Sequence, residues 1–495
     1  MGRTGREIGM TGAMRWGRGA TALGLCALLG ACGSDDGNAG DDTLTVPTTY
    51  TFESRLTPGT SSVDYGGQVG RHVLIAKISE EMEDLTAEID GGKVYAAGEV
   101  QAKLAFYYDF DGSTGGDVEH GLSFTPEPLQ KTLGAASGKK VSEKIAGNDP
   151  VGQHVEWSKG GLIGWDGAAT PDALVRNWFA ELDQAAADRS AGTIAKGADG
   201  KPLAEVHITA GGHHLEELVS KFLLGAVAYS QAADDYLDDD TDGKGLRADH
   251  SKADGDGKPY TALEHAWDEG FGYFGAARDY GAYTDAELNG SGGDAARKTG
   301  AYDTDGDGKI DLFSEWNRGH ALYCGKRDAG AAGKAELDFT GAVWTALLRG
   351  RARIAATPLG GNDAAMLAEL AKDRDAALTA WENCLAASLV HYINETLADM
   401  AKLGTAGWSH ADAAKHWSEM KGFALGLQFN RMARLDKAAL KTLHTQIGMA
   451  PVLEGADAAA VTAGRQGLLD ARKTIMDTYA FPAALAGDDN GEGGW

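Results

Sequence analysis

Residues 303–311 read DTDGDGKID, placing carboxylates at Asp303, Asp305, Asp307 and Asp311 and glycines at 306 and 308. Like charges this close repel, and a hard divalent cation removes the repulsion. The spacing fits the opening of a calcium loop. Asp303, Asp305 and Asp307 take positions one, three and five, Gly308 supplies the sharp turn, Lys309 offers its backbone carbonyl and Ile310 is the apolar position that follows. Asp311 then serves directly or through water. Position twelve is Ser314, and the closing glutamate comes one place later as Glu315, so the loop expected here is one residue longer. Six to eight oxygen ligands in irregular geometry suit Ca2+ better than Mg2+. A solvated acidic turn with no specific ion is the alternative.

A second run, DDDTDGKGLRAD, obeys the same rule in part, with Asp238, Asp240 and Asp242 at positions one, three and five and Asp249 at twelve. Gly245 replaces the aliphatic residue at eight, so a charge run beside a helix end explains it equally well. Histidines form the other candidates. GHHLEE holds Gly212, His214 and Glu217 in a GxHxxE arrangement, and three-residue spacing sets His214 and Glu217 on one helical face, able to share iron or zinc. Four-residue spacing aligns His265 with Glu269 and His391 with Glu395. Such pairs also occur as plain ion pairs on helices. Nucleophilic machinery is missing: there is no GxSxG elbow, HExxH, GxxxxGK[ST] or CxxC.

The elements that must carry these residues are helices. VGRHVLIAKISEEMEDL has apolar residues at three- and four-residue spacing, and TPDALVRNWFAELDQAAAD opens with Thr170 as a cap and Pro171 at the first helical position. The pattern predicts further helices over 213–236, 261–275, 338–355, 363–400, 411–429, 436–447 and 457–480. Gly- and Asp-rich loops fall between them, chiefly 237–258 and 286–309. Strand-like alternation is scarce, so a mainly α large helical bundle is expected. LLGAVAYSQAADDYL resembles AASLVHYINETLADM, and HAWDEGFGYFG downstream of the first resembles KHWSEMKGFALG downstream of the second. This echo predicts two related helical halves, about 47–335 and 336–484, within one domain over 47–484.

The first 32 residues read as a leader. Arginines precede the apolar run ATALGLCALL, and LGAC ending at Cys32 has the form of a bacterial lipobox, whose cysteine carries the lipid. Residues 33–46 then form an acidic tether and 485–495 a disordered acidic tail. The apolar run falls short of the ~20 residues that span a bilayer, so membrane attachment is expected through the lipid anchor only. Gly33 after the cysteine favours the outer membrane, on its periplasmic or cell-surface side. A net charge of −26 makes nucleic acid a poor partner and cations natural ligands. Outside the leader, Cys324 and Cys384 are left to pair in an oxidising compartment.

SVDYGGQVGRHVLIAKI, FLLGAVAYSQ, YTALEHAWDEGFGYFG, DGDGKIDLFSEWN, LLRGRARI, LVHYIN and HWSEMKGFALGLQFN resemble successive blocks of a bacterial lipoprotein family catalogued as a domain of unknown function. That family often neighbours imelysin-like proteins in settings of metal acquisition, and GxHxxE is also the imelysin signature. The resemblance implies an imelysin-like all-helical domain with partners among metal ions, metal chelates, an outer-membrane receptor or an imelysin-like protein. The expected function is cation binding in iron or metal-chelate acquisition, supported by a structural calcium loop. An imelysin-type metallohydrolase or peptidase and a non-catalytic surface protein are the alternatives.

Overall fold

Helices form every regular element among residues 44–149, 153–159 and 161–495, which the computed structural model describes; extended segments meet there only as isolated bridges. α1 (Gly66–Asp90) and α2 (Glu99–Tyr108) precede the short α3 (Leu133–Ala136) and then α4 (Pro171–Ser190). α5 (Leu215–Leu223) runs on into wider π-helical turns at Leu224–Tyr229 and Ala232–Tyr236. Next come α6 (Ala262–Phe274), α7 (Asp285–Leu288), α8 (Gly319–Ala331), α9 (Phe339–Ala356) and α10 (Ala364–Ala401). α11 (His410–Gly426), α12 (Lys437–Ile447) and α13 (Ala458–Thr478) complete the order.

Side-chain caps set many of the starts. Thr170 accepts from the Ala173 N–H ahead of Pro171, and Thr261 and Glu264 satisfy one another's backbone in a reciprocal box. Asp363, Asp436 and Asp457 cap α10, α12 and α13. α2 and α8 escape the sequence pattern. α2 follows a left-handed Gly98, and α8 has no side-chain cap and buries polar residues, among them His320, Arg327 and Asp328. A polar buried face hides the apolar period that betrays a helix.

α10, 38 residues long, is the ridge on which α8, α9, α11 and α13 pack. α5 and its π-helical extension lie against α11, α5 also lies against α1, and α6 lies against α1, α8 and α9. Trp381 of α10 is fully buried where these groups meet, with ring centroids 5.2 Å from Tyr229, 5.0 Å from Phe274 and 5.7 Å from His320. A Cβ on Gly225 would stand 2.8 Å from the Gly426 Cα, so the π-helical turn and the end of α11 touch backbone to backbone. A disulfide between Cys324 and Cys384 ties α8 to α10.

The echoed motifs play parallel parts. Trp267 donates its Nε1–H to the Leu347 carbonyl of α9 at 2.8 Å, and Trp417 donates to the Ile447 carbonyl of α12 at 3.3 Å. Gly272 lets α6 close on Tyr65 at the head of α1, and Gly422 lets α11 close on Lys221 of α5. Even so, Leu44–Trp495 is one compact unit, and the halves expected at about 47–335 and 336–484 share a continuous core.

Residues 1–32 with Cys32, and 33–43 of the expected tether, lie outside the described residues, while Leu44 packs against the core. The expectation of a disordered tail over 485–495 is corrected. Leu485 and Trp495 are buried, and Trp495 sits 4.8 Å from Phe481 and donates to the Arg327 carbonyl at 3.0 Å. Two apolar anchors outweigh the acidic composition between them.

Candidate metal centres

The 303–315 loop is built around two left-handed glycines, Gly306 at φ 75 and Gly308 at φ 81. Asp303 accepts from the N–H groups of Gly306 at 2.7 Å and Gly308 at 3.0 Å. Asp305 and Asp307 accept from the N–H groups two residues ahead, at 3.1 and 2.8 Å. Ile310 is fully buried and pairs with the 127–129 segment: its N–H donates to the Glu127 carbonyl at 3.1 Å and its carbonyl accepts from Leu129 at 2.8 Å. Lys309 forms an ion pair with Glu127 through its side chain.

Glu315 is only 2% exposed and turns back into the loop. Its Oε1 accepts from the Thr304 N–H and hydroxyl, each at 2.7 Å, and its Oε2 from the Asp311 N–H at 2.8 Å. Oxygens of Asp303, Asp305 and Glu315 thus lie within 4.8 Å of one another. Asp307 and Asp311 stand outside this group. Asp311 accepts from Gln130 Nε2 at 2.8 Å, Phe313 N–H at 3.0 Å and the Ser314 hydroxyl at 2.8 Å, which locks the turn into the segment that follows. Three hard oxygen donors with an exposed mouth are a calcium-type donor set.

His214 is the N-cap of α5: its Nδ1 accepts from the Glu217 N–H at 3.3 Å, and its own N–H donates to Ser418 Oγ at 2.9 Å. Ligand atoms of His214, Glu216 and Glu217 lie within 4.8 Å of one another, all three residues buried. Burial pushes the His214 imidazole down to about 3, so it stays neutral and able to ligate. Burial, with Glu217 beside it, raises the Glu216 carboxyl, which bonds to the Ser79 hydroxyl. Against burial, the Lys221 ammonium holds Glu217 low, and Glu419 stands 3.9 Å from the same ammonium. A lysine already balances these carboxylates.

His265 and Glu269 lie elsewhere. His265 Nδ1 bonds the Asp64 carbonyl at 3.0 Å and its ring stacks on Tyr260 at 4.6 Å, while Glu269 accepts from Gln68 Nε2 at 2.8 Å and stands 3.9 Å from His265 Nε2. Gln68 and Ser79 mark the two pairs on α1, about 16 Å apart along the helix axis. His214, Glu217, His265 and Glu269 therefore do not converge. His391 lies against Tyr392, and its Nδ1 has no hydrogen-bond partner.

Asp238 and Asp240 do come together, but with His154 and without Asp242 or Asp249. Asp242 pairs with Arg247, and Asp249 accepts from the Ser251 N–H at 2.8 Å and hydroxyl at 2.7 Å. Sequence reasoning missed His154, which lies far upstream in a stretch without helical period, and Glu216, passed over beside Glu217. Only the adjacency in GHHLEE could have signalled Glu216.

No curated protein and no solved structure matches the chain. One family model does match, over residues 47–289; it takes in GHHLEE, the Asp238 run and YTALEHAWDEGFGYFG and stops short of the 303–315 loop and the blocks beyond it. From the segment before α1 to the end of α7, the chain is similar to the family described as Domain of unknown function (DUF4856).

Proposed function

We propose that this chain is a divalent-cation-binding protein of the bacterial envelope, held at the outer membrane by lipid on Cys32, with calcium as a structural ion in the 303–315 loop. The observation that carries the reading is the return of buried Glu315 to Asp303 and Asp305. The Thr304 N–H and hydroxyl and the Asp311 N–H hold that third carboxylate in place, and a divalent ion would offset the repulsion its charge adds beside Asp303 and Asp305. The wider role is acquisition of iron, zinc or a metal chelate, alone or with an outer-membrane receptor or imelysin-like partner. His214, Glu216 and Glu217 are the residues that would meet such a metal.

A metallohydrolase has less support. It needs three protein ligands and an open position for water. Lys221 sits on Glu217, while His265 and Glu269 bond Asp64 just before α1 and Gln68 in its first turn.

The test is elemental analysis of purified protein before and after chelation, with melting temperature followed throughout. Bound calcium whose removal lowers the melting temperature reversibly supports the structural ion. Protein that takes up no calcium and melts alike with calcium or chelator refutes it. Iron or zinc retained by wild type and lost from His214→Ala would support acquisition.

A further inference from the structure

The His154 cluster is absorbed by neither the calcium loop nor the α5 group. His154 donates its backbone N–H to Asp234 Oδ2 at 3.1 Å, and its Nδ1 meets Asp234 Oδ1 at 2.5 Å. Asp234 is buried in the second π-helical turn, so two bonds to one rigid carboxylate fix the ring plane. On the far side of the ring, Nε2 lies 2.6 Å from Asp240 Oδ2, so the imidazole stands between two carboxylates.

Asp238 completes the group. Its side chain is 4% exposed, and its Oδ2 has no hydrogen-bond partner although it lies 3.5 Å from the His154 ring. A buried carboxylate oxygen without a partner is costly, and a bound cation removes that cost. Its other oxygen meets Arg431 Nη2 at 2.5 Å and the Asp239 N–H at 2.6 Å. Arg431 also pairs with Asp239, which Arg374 meets at 3.1 Å. The two guanidinium groups thus answer Asp238 and Asp239, and the histidine lies between Asp234 and Asp240, whose other oxygen accepts from the Thr241 hydroxyl at 2.8 Å.

We propose that His154, Asp238 and Asp240 bind a divalent first-row transition-metal ion, with Asp234 as the residue that orients the histidine. The donor set of one imidazole nitrogen and carboxylate oxygens suits such an ion better than calcium. The route in is open, because the side chains of His154 and Asp240 are 24% and 39% exposed. Arg431 Nη1 stands 3.1 Å from His154 Nε2, so a guanidinium competes for the nitrogen the metal needs. Metal binding therefore requires Arg431 to swing outward, and this half-exposed side chain is the built-in competitor.

The test is titration of the full-length protein with Co2+ in calcium-saturated buffer, which keeps the 303–315 loop filled, read by calorimetry and by visible absorption of the cobalt. His154→Gln and Asp240→Asn change partly exposed side chains, and matching circular-dichroism melts check that the fold is kept. Wild type is expected to bind one equivalent more than either variant, and R431Q to bind that equivalent roughly fivefold more tightly, the scale of a lost exposed ion pair. Equal stoichiometry in wild type and H154Q overturns the proposal. So does R431Q binding no more tightly than wild type, since the cluster is then an ion-pair network without a metal.

Discussion

Replacing Glu315 by Gln probes the proposed calcium loop with the least change of shape. A loop missing the usual closing position has a dissociation constant of about 10–100 μM, so about 1 mM calcium contributes roughly 1.4–2.7 kcal/mol. With an unfolding entropy of about 2.1 cal/mol/K per residue, a body of about 450 residues shifts its melting temperature by about 1.5–3 °C. The substitution also puts an NH2 group where a carboxylate oxygen now accepts, facing either the Thr304 or the Asp311 N–H. That clash costs about 1–3 kcal/mol without any ion. Calorimetric melts of both proteins, in calcium and in chelator, are the assay. Wild type should show the calcium shift, and E315Q should melt lower and ignore calcium. A full calcium shift in E315Q, or none in wild type, would refute the assignment of Glu315 as the closing ligand.

Three further outcomes follow from buried groups. Burial pushes the Lys421 amine down to about 7; its Nζ donates to the Gly448 carbonyl at 2.8 Å. The unfolded chain therefore binds more protons between pH 7 and the ordinary lysine value, so stability rises with pH across that window; Lys421→Met should flatten the rise in denaturant titrations at stepped pH. The Cys324–Cys384 bond closes a separation of 60 residues, and replacing both by Ala should cost about 4 kcal/mol in chemical unfolding. Trp495→Ala removes a buried aromatic from the Phe481 and Phe339 contact and should cost about 3 kcal/mol, read as a lower denaturant midpoint.

The scaffold was legible wherever a cap and an apolar stripe coincide. Thr170–Pro171, Thr261 with Glu264, and the aspartates at 363, 436 and 457 announce helices that begin beside them. α8 stayed hidden because its buried face carries His320, Arg327 and Asp328, and local pattern reads such residues as solvent-facing. At the sites, short-range spacing identified what the chain itself folds together: Asp303 with Asp305 and Glu315, and His214 with Glu217. It failed where tertiary packing chooses the partners. Asp238 meets His154 instead of Asp249, and the His265 pair lies away from the His214 pair because both are hung on α1 at different heights.

The short pairing of Ile310 with the 127–129 strip joins two stretches far apart in the chain, and Gln130 strengthens the join by donating to Asp311 and accepting from the Leu312 N–H at 2.9 Å. An ion that stiffens one stretch therefore clasps the other as well. Stripping it should open two cutting places for a protease, one among the aspartates and one near residue 125, which would appear and vanish together.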